Sequence, residues 1–577
     1  MTDKLLFFSL FCFLSLFPPS LSADEQITKK VYAHLAIQDT SSACEEAEQG
    51  LHSYPHSKAL HEAYIKALAK ACEEKKMSQA WHDYIALFPE QQKNRDVLES
   101  MAWGVIENGA ASNSPAIRTC ALLAAFFAQD AKGVDILYRH LQDDNSFLRG
   151  ASVQLSSHMG DAKLRDQILR MFKDEKVWIV RLAIIKALGA MKIAEAQPSL
   201  EDILANERNS AEEKAVAIQS LVNLLEDADR AKVQQLAMNP RAGLRLLACQ
   251  VVFFLDQEQN LDLILPLVND SLAEVRAAAL ETIGNFRIIG QNPAIIDLVA
   301  SKLNDLDFNV AITAAWVMTL NNPQVGQQAF EPWLQHNNRD VRLLAASALV
   351  QCGKYGLPLT SNLFFETGDP YIRMNLGIGL IGQRLHTEQA CAALYRGLSE
   401  QKERWMWKEE SGRRYLAPSD VEHSDLIPNY PEAVNQLTRL EVLNLLALMK
   451  YSGTQAAIKQ FLQERSWGIS GMASAMLLSE GDDSAIELVQ NLMKDSNPKI
   501  RIQAALILSM WDAGEEAITV LQGSYESADR ETKEKILEGL GQIGSPLSIP
   551  FLTEKMEEPY QTLRIIAASS LLQSLYH

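Results

Sequence analysis

From about residue 130 to the C-terminus, small and apolar residues return on one helical face at a nearly constant interval. With Arg276 as origin, Ala279 stands three residues on, Ile283 seven on, and Gly284 ends the run. The same arrangement starts from Arg149, Arg181, Lys214, Arg245, Arg276, Ala311, Arg342, Arg373, Arg439, Ser470, Arg501, Lys533 and Arg564. Successive anchors lie mostly 31 to 33 residues apart, with one gap of 35 and one of 66. Residues three, four and seven apart share one side of a helix, so each unit predicts a helix with a buried stripe. A second amphipathic run follows, often near a proline, as at Pro198, Pro293 and Pro546. One such hairpin cannot bury its apolar face alone, whereas stacked hairpins share a continuous core. The expected fold is all-α: a right-handed α-solenoid of about thirteen helical hairpins, with no strand pattern anywhere in the chain.

An acidic residue often precedes the anchor in the interhelical turn, as Asp174, Asp270 and Asp495 do. An arginine on the next helix can reach that turn or its neighbour's. Because the pairing repeats with the stacking period, it predicts a structural ladder; a catalytic pair would be singular. The run Asp270, Val275, Arg276, Ala279, Ile283 and Gly284, at this spacing, resembles the HEAT-like repeats first grouped with phycobilisome lyases. The resemblance spans residues 130–577 and implies an armadillo/HEAT-type architecture. It implies no single function, since members range from chromophore lyases to passive scaffolds.

Residues 24–130 are helical but outside this register, and their Tyr54-Pro55 and Phe88-Pro89 endings resemble tetratricopeptide hairpins. That resemblance implies an N-terminal cap on the array. Residues 1–23 read as a signal peptide: Lys4, an apolar run from Leu5 to Phe17, then small residues at Ser20, Ser22 and Ala23. The run falls short of the ~20 residues a spanning helix needs, and no later segment is apolar enough to cross a membrane. An inserted loop at 400–431 separates repeats 131–399 from repeats 432–577. A degenerate repeat at Arg404 is the alternative, but Trp407 and Ser411 stand where a small residue and a leucine are expected.

The formal charge of −18 disfavours nucleic acid, which is bound through clustered Lys and Arg, and leaves no polybasic segment for an anionic membrane. Six cysteines follow the leader: Cys44, Cys72, Cys120, Cys249, Cys352 and Cys391. They are too few for a disulfide framework, although a helical hairpin could bring Cys44 to Cys72. His52, His56, His61 and His82 cluster in the N-terminal segment, where a polar helix surface is favoured over a metal site. No H-E-x-x-H, G-x-S-x-G, Walker or dinucleotide motif is present, so no catalytic residue, metal or cofactor is expected.

Two places point to binding. The insertion carries Arg404, Trp405, Trp407 and Lys408, then Arg413, Arg414 and Tyr415, a basic aromatic run in an acidic chain. Long loops on rigid scaffolds carry function, and Trp, Tyr and Arg are the usual hot-spot residues. The opposite expectation is that the tryptophans tuck back onto the solenoid. The second place is five residues after each anchor, usually polar but Trp316, Ile378, Ala475 and Leu506 in four repeats, where Trp316 and Ile378 would expose apolar surface on the concave side. The favoured function is an exported scaffold holding a protein or peptide there. Its rivals are a lyase-type factor acting on a tetrapyrrole-bearing protein and a secreted protein engaging a host or neighbouring cell.

Overall fold

The computed structural model describes residues 22–206, 208–226, 229–286, 292–410, 412–420, 430–454, 489–509 and 514–576. Most of the segment 1–23 read as a signal peptide, and the Ser470 anchor, lie outside the described residues. The chain is an all-α solenoid, and its contacts divide into two compact units: Met1–His140 with Leu521–His577, and Leu141–Val520.

Each anchor sits in the second helix of its hairpin. Asn145, Ser210, Asp307, Asn338, Asp369, Asn497 and Asp529 cap these helices, each accepting a backbone N–H in the first turn. The stripe is interior. Ala217, Ala248, Ala279, Ala314, Ala345 and Ala504 are wholly buried, as are Leu188, Leu221, Leu349, Leu380 and Leu446. Small residues let successive anchor helices touch: a Cβ on Gly189 would lie 2.5 Å from Ser220 Cα in the next anchor helix.

The ladder joins neighbouring repeats. Arg149 reaches Glu175 at 2.8 Å, Arg181 reaches Glu213 at 2.9 Å, Arg245 reaches Asp270 at 2.6 Å and Arg276 reaches Asp305 at 2.7 Å. The same guanidinium caps its own turn, donating to the carbonyl six residues back: Arg245 to Asn239 at 3.0 Å, Arg276 to Asp270 at 3.0 Å, Arg501 to Asp495 at 2.8 Å. Arg149, Arg181, Arg245 and Arg276 therefore each fix one turn and clamp the next. Burial pushes the Asp270 carboxyl up, but the Arg245 guanidinium and the Leu272 N–H hold it below its ordinary value.

Three expectations change. The insertion is not a strandless loop: β1 (Trp405–Glu410) and β2 (Arg413–Pro418) form an antiparallel hairpin. Cys44 and Cys72 are free thiols. The repeat register also starts earlier than Arg149. Arg118, 31 residues before it in helix Pro115–Ala128, donates to Ser112 O at 2.8 Å as the later anchors do, with Ala121 and Ala125 wholly buried beneath. The segment read as a cap thus already contains an anchor helix.

In the first unit the last helix, Gln561–Tyr576, packs on helices Arg95–Ala110 and Pro115–Ala128. Arg564 makes the usual bond to the carbonyl six residues back, Glu558 O, at 2.9 Å. Its carboxylate partner is Glu74, at 2.6 Å and 490 residues earlier in the chain. The opening helices supply what a following repeat would supply.

Candidate partner-binding face and its hairpin

Gly412 stands in the hairpin's turn at φ +65°, the left-handed region that favours glycine. Glu410 pairs with Arg413 next to the turn, and pairs then alternate between hydrogen-bonded and outward-facing. By that alternation the Trp407–Leu416 pair points its backbone groups away from the ladder. Asn375 meets those of Leu416, its Nδ2 donating to Leu416 O at 2.7 Å and its Oδ1 accepting from Leu416 N at 2.8 Å. Asn435 Oδ1 accepts from Trp405 N at 2.9 Å, so side-chain amides satisfy backbone groups at both edges.

The hairpin lies against the anchor helices Arg339–Gln351, Pro370–Gly382 and Tyr430–Leu448. Trp405, Tyr415, Leu416 and Ala417 join the same buried cluster as Leu344, Tyr371 and Leu376. At its base the Arg439 guanidinium stacks 4.4 Å from the Trp405 ring and donates to Gln401 O at 2.7 Å and Glu403 O at 3.1 Å. At its tip Arg413 is 1% exposed, donates to Thr313 Oγ1 at 3.0 Å and covers the Trp316 ring at 5.3 Å. Asn309 Nδ2 holds Glu410 Oε1 at 3.0 Å. Gly412 presses on Glu281: a Cβ there would collide with the carboxylate oxygen. Burial pushes the Glu281 carboxyl up, against the pull of the Arg413 charge.

These positions revise the sequence reading residue by residue. Trp405, Arg413 and Tyr415 are buried, Arg413 and Tyr415 on one face of the hairpin and Trp405 on the other. Trp407 and Lys408 are half-buried; Arg414 lies 4.7 Å over Trp407 and bonds Glu441 at 2.7 Å, and Lys408 bonds Asp420 at 2.9 Å. Arg404 and Arg414 are the exposed members of the run. Trp316 lies beneath Arg413, and Ile378 packs against the core cluster. The hairpin is an occupant of the face, not a free loop beside it. The residues that hold it, Asn309, Thr313, Asn375 and Asn435, were not anticipated. Asn375 had a signal: two residues after an anchor, where Ala151, Ala183 and Ala278 stand in other repeats, it is an amide.

Between Arg149 and Arg439, exposure five residues after the anchor falls towards the hairpin. Gln154, Lys186 and Gln219 are exposed, Gln250 and Glu281 half-buried, and Ser347 and Asn444 buried. The face is open from Arg149 to Arg245 and strapped from Ala311 to Arg439.

Among the described residues no group of three or more His, Cys, Asp or Glu could hold a metal ion, and no helix is long and apolar enough to cross a membrane. His61 is buried, with Nε2 2.9 Å from Pro55 O, and His82 pairs with Glu557 at 2.7 Å. Burial pushes the thiols of Cys120 and Cys352 up to about 12.

A family profile described as HEAT repeats matches residues 487–572. No curated protein matches the chain. Solved structures similar to it include the karyopherin Kap121p, 12% identical over 96% of this chain and 78% of that one, at TM-score 0.35. The UNC-45 chaperone is 12% identical over 96% of this chain and 82% of its own, at TM-score 0.29. The CpcE and CpcF complex of phycocyanin lyase from Nostoc sp. PCC7120 is 16% identical over 49% and 94%, at TM-score 0.20. Likeness at this level concerns the fold alone.

Proposed function

We propose that this chain is an exported, non-catalytic scaffold that holds a polypeptide partner on the anchor-helix face between Arg149 and Arg245. The observation that carries the reading is the strapped half of the same face. There an extended strand lies across the anchor helices with its backbone groups met by Asn375 and Asn435. The open half offers the same row of helices with Gln154, Lys186 and Gln219 uncovered. A preformed surface of stacked helices lowers the ordering cost of binding. A lyase-type reading would need an activated nucleophile. The thiols of Cys120 and Cys352, driven up by burial, are suited to packing instead. Export rests on the apolar leader, and N-terminal sequencing of the protein recovered from the periplasm or medium tests it.

The binding test is positional. A photo-crosslinking residue at Gln219 should capture a polypeptide in the native compartment, while the same group at the exposed Asp202 of the preceding helix should not. Equal capture at both positions removes the reading.

A further inference from the structure

The hairpin lies along the row of anchor helices, from Arg439 at its base, past Asn375, to Thr313 and Glu281 at its tip. Its two strands therefore cross one repeat after another. The repeats anchored at Arg342, Arg373 and Arg439 each give an amide side chain to its main chain. Asn435 Oδ1 accepts from Trp405 N, Asn375 accepts from Leu416 N and donates to Leu416 O, and Gln351 Nε2 donates to Gly412 O at 3.5 Å. A side-chain amide carries a donor and an acceptor together, and so does each outward residue of a strand edge.

The same row continues beyond the hairpin tip, within the same Leu141–Val520 unit. Five residues after the anchor, four successive repeats there carry Gln154, Lys186, Gln219 and Gln250: three amides, and no carboxylate in a chain of net charge −18. Asn223 stands exposed nine residues after Lys214, the place Gln351 holds in the Arg342 repeat. We propose that the partner enters as one extended segment laid along this line, its main chain paired to these amides, an inference that rests on the assignment of this face to a polypeptide. Such a site selects conformation before sequence. Anchor helices packed ~8–10 Å apart put Gln154 and Gln250, three intervals apart, ~24–30 Å from each other. An extended segment covers that distance in about seven to nine residues, a helix in about sixteen to twenty.

Photo-crosslinking residues at Gln154, Gln219 and Gln250, one in each of three full-length chains, test this by where they attach. Mass spectrometry of the captured polypeptide should place the Gln154 and Gln250 attachments in one continuous segment, within about eleven residues of each other, with that of Gln219 between them. A wider separation, or attachments on separate segments, overturns extended binding, while capture itself upholds the partner site. No capture at any of the three removes both. A synthetic peptide of the captured segment then tests the main-chain contact. Gln219→Ala should weaken its binding about five-fold, the worth of one net hydrogen bond. N-methylation of the peptide residue that attaches at position 219 should cost as much, with no further loss when the two changes are combined. Losses that add, or no loss from either change, overturn the main-chain contact.

Discussion

The repeats from Arg149 to Arg276 and those from Ala311 to Arg439 use one architecture in two ways. In the first set the arginine anchors clamp carboxylates of the following repeat, as Arg245 does with Asp270, and the outward helix face stays free from Arg149 to Arg245. In the second set Ala311 has no guanidinium to offer. Arg373 donates to Thr367 O and Phe364 O, and Arg439 has turned to the hairpin base, donating to Leu398 O, Gln401 O and Glu403 O. The second set keeps one ion pair between repeats, Arg339 to Asp369 at 2.8 Å, and adds an aromatic strap across them. Anchor position fixes where an arginine stands; what approaches that position decides what it does.

The largest effect expected from breaking this contrast is at the strap. Trp405→Ala removes a wholly buried indole and should cost about 3 to 5 kcal/mol, read as an earlier urea transition with fast hydrogen exchange confined to residues 308–448. In the laddered set Arg245→Ala leaves the Asp270 carboxylate, 5% exposed, without its cation, for a loss of about 2 to 3 kcal/mol. Asn375→Ala should cost about 1 to 2 kcal/mol and raise exchange at the Leu416 amide, while Asn375→Asp keeps an acceptor for that amide and loses only the donor.

Acid should separate the two sets without mutation. The carboxyls of Glu175, Asp270 and Asp305 lie below their ordinary values of 4.5, 3.8 and 3.8: burial raises each, and the paired arginine with backbone N–H groups more than offsets it. Their stabilisation is complete above those values and is lost as pH falls through the depressed folded ones. Glu281 has the opposite sign, since burial raises it, and its protonation on acidification relieves the strap tip. In the strapped set Asp369, raised by burial but lowered further by Arg339, shares the sign of the three ladder carboxyls. With Glu281 opposing it there, pepsin applied at falling pH should cut first among residues 149–305. The smallest effect is Gln219→Ala, within about 0.5 kcal/mol in stability, so that any loss of partner capture reports binding alone.

The fold was legible because a stripe such as Ala279 and Ile283 recurs with its anchor, and the repetition averages out local noise. The candidate site was legible only as a location. Trp405, Trp407 and Tyr415 were visible as unusual, but whether they face a partner or their own helices depends on contacts like Asn375 to Leu416, across 41 residues. Neither Trp405–Glu410 nor Arg413–Pro418 alternates apolar with polar residues, so the hairpin left no strand pattern, and its aromatics also suit an exposed hot spot. Arg118 was missed for a different reason. Its stripe is made of Ala121 and Ala125 without a leucine, so the interval of 31 was its one clear signal.

The bond from Arg564 to Glu74 sets an order on biosynthesis. Helix Arg95–Ala110 leaves the ribosome some 450 residues ahead of the helix Gln561–Tyr576 that covers it. Meanwhile a nascent chain can stack the intervening repeats as they emerge, each needing only its neighbour. The oldest helices must wait for the youngest. A chain released early leaves that surface bare, and there a folding helper would find its longest-lived foothold.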